Sequence, residues 1–183
     1  MASRILTVPN ELTFLRLGFL PIFLIAVIYG HYGWALGLLS LAAFTDGLDG
    51  LLARTLRQRT ALGAYLDPIA DKLLLSSSFI VLALKGKIRW WLAIIVLSRD
   101  VFLLTIAVLI LLVVGYRRFP PSIYGKLTTM FQVLFVFAVL AMAVTPWGWV
   151  PPVRRLLADL VTAFTVFSGF HYSVTVARRL SAT

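Results

Sequence analysis

Asp46-Gly47-Leu48-Asp49-Gly50-Leu51-Leu52-Ala53-Arg54 and, eight residues on, Gly63-Ala64-Tyr65-Leu66-Asp67-Pro68-Ile69-Ala70-Asp71 carry four of the chain's seven acidic residues. Both stretches sit inside long apolar runs. A carboxylate at membrane depth costs several kcal/mol unless it is paired or solvated. Four of them on neighbouring segments repel one another, so a cationic partner is required. Helical spacing sharpens the point. Asp46, Asp49, Gly50, Ala53 and Arg54 fall on one stripe of a helix, and Gly63, Asp67 and Asp71 fall on another. The connection from Thr55 to Thr60 is short, so the two helices are expected to be antiparallel neighbours with their acidic stripes facing each other.

The rest of the chain defines the solvent around those acids. Of 183 residues, 61% are hydrophobic and 13% are charged. A soluble domain of this length has no interior large enough to hide that much apolar surface, whereas a bilayer accepts it. Six stretches are predicted as spans of roughly 20 residues, at 11–30, 33–56, 61–85, 89–115, 122–146 and 153–178. Breakers separate them at Gly30-His31-Tyr32-Gly33, Gly86, Pro120-Pro121 and Pro146 through Pro151-Pro152. The expected fold is all-α: a polytopic membrane protein of six transmembrane helices, forming a single domain over residues 1–183. The first apolar run lacks a small-residue cleavage site and reads as a retained span.

The net charge is +10. In a soluble protein such an excess points to nucleic acid. Here the basic residues cluster between apolar runs, as loops beside anionic headgroups do, so no nucleic-acid partner is expected. With the N-terminus in the cytoplasm, that side carries Arg4, Arg16, Arg54, Arg57, Arg59, Arg117, Arg118, Lys126, Arg178 and Arg179. The opposite side carries Lys85, Lys87, Arg89, Arg154 and Arg155. The positive-inside rule therefore favours cytoplasmic termini, and a bacterial inner membrane is the expected location. There are no cysteines, which excludes disulfides and thiolate metal sites.

Carboxylate oxygens facing each other suit hard divalent cations, above all Mg2+ or Mn2+, and two such ions can clamp both sides of a phosphoryl displacement. Gly50, Ala53 and Gly63 on the same stripes allow a bulky ligand to approach the backbone, or allow close helix packing. Arg54 is placed either to donate to phosphate oxygens or to anchor in headgroups. An attacking hydroxyl needs a positioned base, and Asp71, deepest in the membrane, is expected to take the proton. Lys72, Arg99, Arg117, Arg118 and Lys126 are candidates for gripping a phosphate on the acceptor. Arg99 stands out because it lies within a span; pairing with Asp100 or with a motif aspartate is the other explanation. Asp159 is expected to pair with Arg155 one turn earlier. His31 and His171 read as packing or surface residues.

The two stretches together match D-x-x-D-G-x-x-A-R-x8-G-x3-D-x3-D at every defined position, and so resemble the CDP-alcohol phosphatidyltransferase motif. A Pro-Asn-x-Leu-Thr stretch at 9–13 and a Gly-Lys-x-x-Thr stretch at 125–129 extend the likeness. The resemblance implies a six-helix integral enzyme, usually a homodimer, that transfers a phosphatidyl group from CDP-diacylglycerol to an alcohol and releases CMP. It implies that Asp46 and Asp67 bridge two metal ions, that Asp49 serves the first and Asp71 the second, and that Asp71 is the general base. By the same likeness Gly50, Ala53, Arg54, Thr60 and Gly63 line the CDP site, and Pro9, Asn10, Glu11 and Leu12 lie near the nucleotide. Asp67-Pro-x-Ala-Asp71-Lys72 resembles phosphatidylglycerophosphate synthases, which use glycerol 3-phosphate. It equally resembles cardiolipin synthases of eukaryotic type, which use phosphatidylglycerol, and Ser98-Arg99-Asp100-Val101 leans towards the latter.

Two rivals remain from the residues alone. Intramembrane prenyltransferases also use aspartates on a diphosphate, but separate their acidic motifs by a much longer stretch. A cation transporter also buries acids, but the arginines beside these acids suit an anionic ligand better.

Overall fold

The computed structural model describes residues 8–55, 61–114, 123–145 and 150–180. At 8–14, 16, 46–55, 61–69, 107, 110, 111, 113, 114, 150 and 176–180 it describes the backbone alone. Among the described residues there are six helices and no strands: α1 (Val8–Ile28), α2 (Tyr32–Thr55), α3 (Ala61–Leu84), α4 (Trp90–Val114), α5 (Ile123–Val144) and α6 (Val150–Leu180). The all-helical expectation and the number of helices agree with this. Among the described residues one helix, α5, is by length and composition long and apolar enough to cross; Leu17–Ile28 and Tyr32–Thr45 are shorter apolar stretches.

Helix ends differ from expectation where proline is involved. Pro151 and Pro152, expected as breakers, lie in the first turn of α6. A proline is tolerated there because its missing N–H would have no intrahelical acceptor. Pro9 likewise falls in the first turn of α1, which begins at Val8, three residues before the expected start. Glycine sets the other kind of boundary. Gly30 has φ +80°. Its N–H donates to the Val27 carbonyl at 3.1 Å, and the His31 N–H donates to the Ala26 carbonyl at 2.8 Å. This pair of bonds is a Schellman cap, which satisfies the last carbonyls of α1 and requires a left-handed residue where only glycine is unstrained. The His31 carbonyl then accepts from Ala35 N–H at 3.1 Å and opens α2. The result is a tight reversal between α1 and α2.

The chain divides into two compact units. The first comprises residues 1–85 and 140–146. In it α1 packs against both α2 and α3. The buried positions recur at helical spacing: Phe23, Ala26 and Val27 on α1, Ala35, Leu39 and Ala42 on α2, and Leu74, Leu75, Ser78, Phe79 and Leu82 on α3. Alanines at three of the α1 and α2 positions let the two backbones approach, with Phe23 and Phe79 as the bulky filling. The direct apposition of α2 and α3 expected from their short connection falls outside the described residues.

The second unit comprises residues 86–139 and 147–183. Here α4 packs on α6. The α5 helix joins α6 through the Thr128 hydroxyl, 3.1 Å from the Phe164 carbonyl, and through the rings of Phe131 and Phe164, with centroids 4.8 Å apart. Its buried seam is partly polar: Thr128 and Gln132 on α5, Thr165 and Ser168 on α6, beside Val136 and Val161. Large apolar side chains point outward along the same helices, among them Leu104, Leu112 and Phe170.

Candidate functional site

The acidic motif occupies two helix ends in the first unit. Asp46, Asp49, Gly50, Ala53 and Arg54 lie in the last turns of α2, which ends at Thr55. Gly63, Asp67 and Asp71 lie within the first three turns of α3, which begins at Ala61. The Gly30 reversal returns α2 along α1, so the start of α1, with Pro9, Asn10, Glu11 and Leu12, belongs to the same end as the close of α2. The start of α1 and the close of α2, both expected around one nucleotide, thus share one end of this unit. The side chains of Pro9 to Leu12, Asp46 to Arg54, Gly63 and Asp67 lie outside the described residues, as does Thr60 altogether.

Asp71 is the motif acid whose side chain is described. It is half-buried on α3, next to the fully buried Ala70, whereas Lys72 is exposed. The helix therefore turns the carboxylate inward and sends the ammonium out. Both engage other groups in the structure. Among the described residues no three His, Cys, Asp or Glu side chains gather as a metal site; the other three aspartates are outside that set. The chemistry of the donor set fits a hard divalent ion: four carboxylates, in a chain without a cysteine to favour a softer one.

A second polar cluster lies in the other unit. Arg99 of α4 is a buried cation, its side chain 9% exposed. Its Nη1 pairs with Asp100 Oδ1 at 2.7 Å, and its Nη2 donates to Ser168 Oγ of α6 at 3.0 Å. Its stem runs past Gly169, where a Cβ would stand 3.9 Å from Arg99 Cγ. Removing such an ion from water costs several kcal/mol, and one neighbouring carboxylate plus one hydroxyl offset that only in part. The guanidinium still has a buried Nε without a hydrogen-bond partner. Of the two explanations open from sequence, pairing with Asp100 is observed, yet the pairing leaves a donor over.

Other buried polar atoms in this unit are also unsatisfied: Gln132 Nε2 on α5, and Thr165 Oγ1 and His171 Nδ1 on α6. Sequence reading missed Gln132, Thr165 and Ser168. The available signal was their spacing, since polar residues recurring on the inner stripes of apolar helices are as conspicuous as the acids. His171 matches its packing assignment in that the Tyr124 ring lies 4.8 Å away and the Phe167 ring 6.2 Å away. Lys126 is exposed on α5, and Arg117 and Arg118 lie outside the described residues. The expected Arg155–Asp159 ion pair does not form. Both side chains are exposed and no contact within 4.0 Å joins them, because water solvates each more cheaply than a fixed geometry would.

Comparison with known proteins places this arrangement. The family model described as CDP-alcohol phosphatidyltransferase matches residues 6–171. A Mycobacterium tuberculosis protein named probable phosphatidylglycerophosphate synthase is 39% identical over 142 residues, 73% of this chain and 66% of the relative, so the match spans just under two thirds of that relative's length. A Streptomyces coelicolor protein named cardiolipin synthase (CMP-forming) is 33% identical over 190 residues, 98% of this chain and 87% of the relative. A Homo sapiens protein of the same name is 32% identical, over 91% of this chain and 61% of its own. The model match covers nearly all of the described helices, including both acidic stretches and the α4–α6 cluster. The chain belongs to the CDP-alcohol phosphatidyltransferase family, a membrane family of transferases in phospholipid biosynthesis.

Proposed function

We propose that this protein transfers the phosphatidyl group of CDP-diacylglycerol to glycerol 3-phosphate, giving phosphatidylglycerophosphate and CMP. What supports the reading is where the four aspartates fall in the helices: Asp46 and Asp49 in the last turns of α2, Asp67 and Asp71 in the first turns of α3. The acceptor oxygen forms a bond to the phosphatidyl phosphorus, the phosphorus–oxygen bond to CMP breaks, and Asp71 takes the hydroxyl proton. Asp71 is half-buried on α3, and a positioned carboxylate can serve as the base for such a transfer. Asp46, Asp49, Asp67 and Asp71 would hold two Mg2+ or Mn2+ ions, which supply charge neutralisation on the diphosphate. Gly50, Ala53, Arg54, Thr60 and Gly63 line the CDP moiety, and Pro9 to Leu12 lie beside it. Arg99, with its spare Nε, is the foremost candidate for the acceptor phosphate; Lys72, Arg117, Arg118 and Lys126 are further ones.

The protein works as one catalytic domain of six membrane-spanning helices, as a homodimer in a bacterial inner membrane with both termini in the cytoplasm. The outward-facing Leu104, Leu112, Ile123 and Phe170 support a lipid surround. A second acceptor, phosphatidylglycerol, is favoured by the Ser98-Arg99-Asp100 stretch and by the near full-length likeness to the Streptomyces cardiolipin synthase. The test is CMP release by the purified protein with Mg2+ or Mn2+, CDP-diacylglycerol and either glycerol 3-phosphate or phosphatidylglycerol. Release with the first and not the second supports the main reading. Release with the second alone replaces it with the cardiolipin reading, and none with either removes both.

A further inference from the structure

We propose a binding site for the phosphate of an anionic lipid in the second unit, at the starts of α4 and α6. A cavity of about 530 Å3 opens there, large enough for a lipid headgroup. Lys87, Arg89, Arg154 and Arg155 line it, against one carboxylate, Asp159. Among the described residues neither Arg89 nor Arg155 has an ion pair. Four cations around one opening repel each other. The amino ends of α4 and α6 carry partial positive charge, which also disfavours cations and favours an anion. With cytoplasmic termini, these residues lie on the membrane face where the positive-inside rule disfavours basic residues, so charge orientation gives no reason for them. A bound anion does.

The lining also says what the anion is attached to. Leu92 and Phe135 are buried and apolar at the cavity, and Trp91 is 43% exposed beside it. Cations at the mouth over an apolar wall suit a phosphate ester that carries acyl chains, and Trp91 is the side chain expected at a headgroup layer. The frame is tied across elements, because Arg154 Nη1 donates to the Lys87 carbonyl at 3.5 Å and links the turn before α4 to α6. None of these residues belongs to the acidic motif or to the Arg99 cluster, so the site stands independently of the transfer reaction.

The test uses the full chain in nanodiscs of phosphatidylcholine with a minor fraction of phosphatidic acid, an anionic lipid that carries no nucleotide. Lipid retained by the protein is counted by native mass spectrometry. Arg89→Gln with Arg155→Gln is the test variant, and Lys85→Gln, exposed and outside the cavity, is the control for general charge. Wild type is expected to retain phosphatidic acid over phosphatidylcholine. The double variant should lose about tenfold of that preference, the control little, since each basic group near an anionic surface is worth a several-fold effect. CMP release should persist in the double variant, which shows that it is folded. Equal retention by wild type and double variant overturns the site. Displacement by inorganic phosphate as readily as by soluble short-chain phosphatidic acid overturns the lipid assignment.

Discussion

Arg99 on α4 and Ser168 on α6 are joined by a 3.0 Å hydrogen bond, donated by Nη2 to the hydroxyl. The bond fixes one end of a buried guanidinium while Nε remains unpartnered, an arrangement that holds the cation ready for a further acceptor.

Arg99→Gln is therefore expected to raise KM for glycerol 3-phosphate by about tenfold or more, with KM for CDP-diacylglycerol within about twofold, because a lost charge-assisted bond is worth roughly 1.5–3 kcal/mol. Ser168→Ala should shift the acceptor KM less and lower thermal stability by about 1 kcal/mol. Steady-state kinetics with each substrate varied separately, together with melting in detergent, check both. An equal rise in both KM values counts against an acceptor role.

Asp71→Asn keeps the size of the side chain but removes the basic oxygen. Turnover should fall by about 10²–10⁴-fold, the usual contribution of a positioned base. Mn2+ binding, followed by electron paramagnetic resonance, should largely survive on the remaining three carboxylates. Wild-type-like rates would remove Asp71 from the base role.

Chelation with EDTA should abolish CMP release, and added Mg2+ or Mn2+ should restore it. Asp46→Ala and Asp67→Ala, the two proposed bridging positions, should each prevent that recovery at any metal concentration. Activity in EDTA at the untreated rate would contradict the carboxylate quartet as a metal site.

Gly30 and Gly37 make a matched pair. An added Cβ meets nothing within 4 Å at either position, but Gly30 has φ +80°. Gly30→Ala should cost about 1–2 kcal/mol from backbone strain alone. Gly37→Ala, inside α2, should be neutral or gain roughly 0.5–1 kcal/mol. Thermal melts of the two variants should move in opposite senses, with CMP release per folded molecule unchanged.

Much of this was legible from sequence because each signal was local. The apolar runs set the six helices to within a few residues, and the spacing of Asp67 and Asp71 put both in the early turns of α3. The misses were not local. Pro151 and Pro152 punctuate a sequence, yet the first turn of a helix accommodates them, so α6 begins earlier than expected. Arg155 and Asp159 have ion-pair spacing, but exposure removes the reason to pair. The link from Arg99 to Ser168 joins residues 69 apart, and nothing in either neighbourhood announces the other.

The α6 helix carries Arg154 and Arg155 in its first turns and Arg178 and Arg179 in its last. Residues 156–177 between these pairs span about 33 Å at 1.5 Å per residue, close to the roughly 30 Å thickness of a hydrocarbon layer. In the proposed six-span arrangement, arginine pairs a bilayer apart would leave α6 no freedom to piston. Sliding either way would drag one pair into oil, so a working motion of this helix would be rotation or tilt.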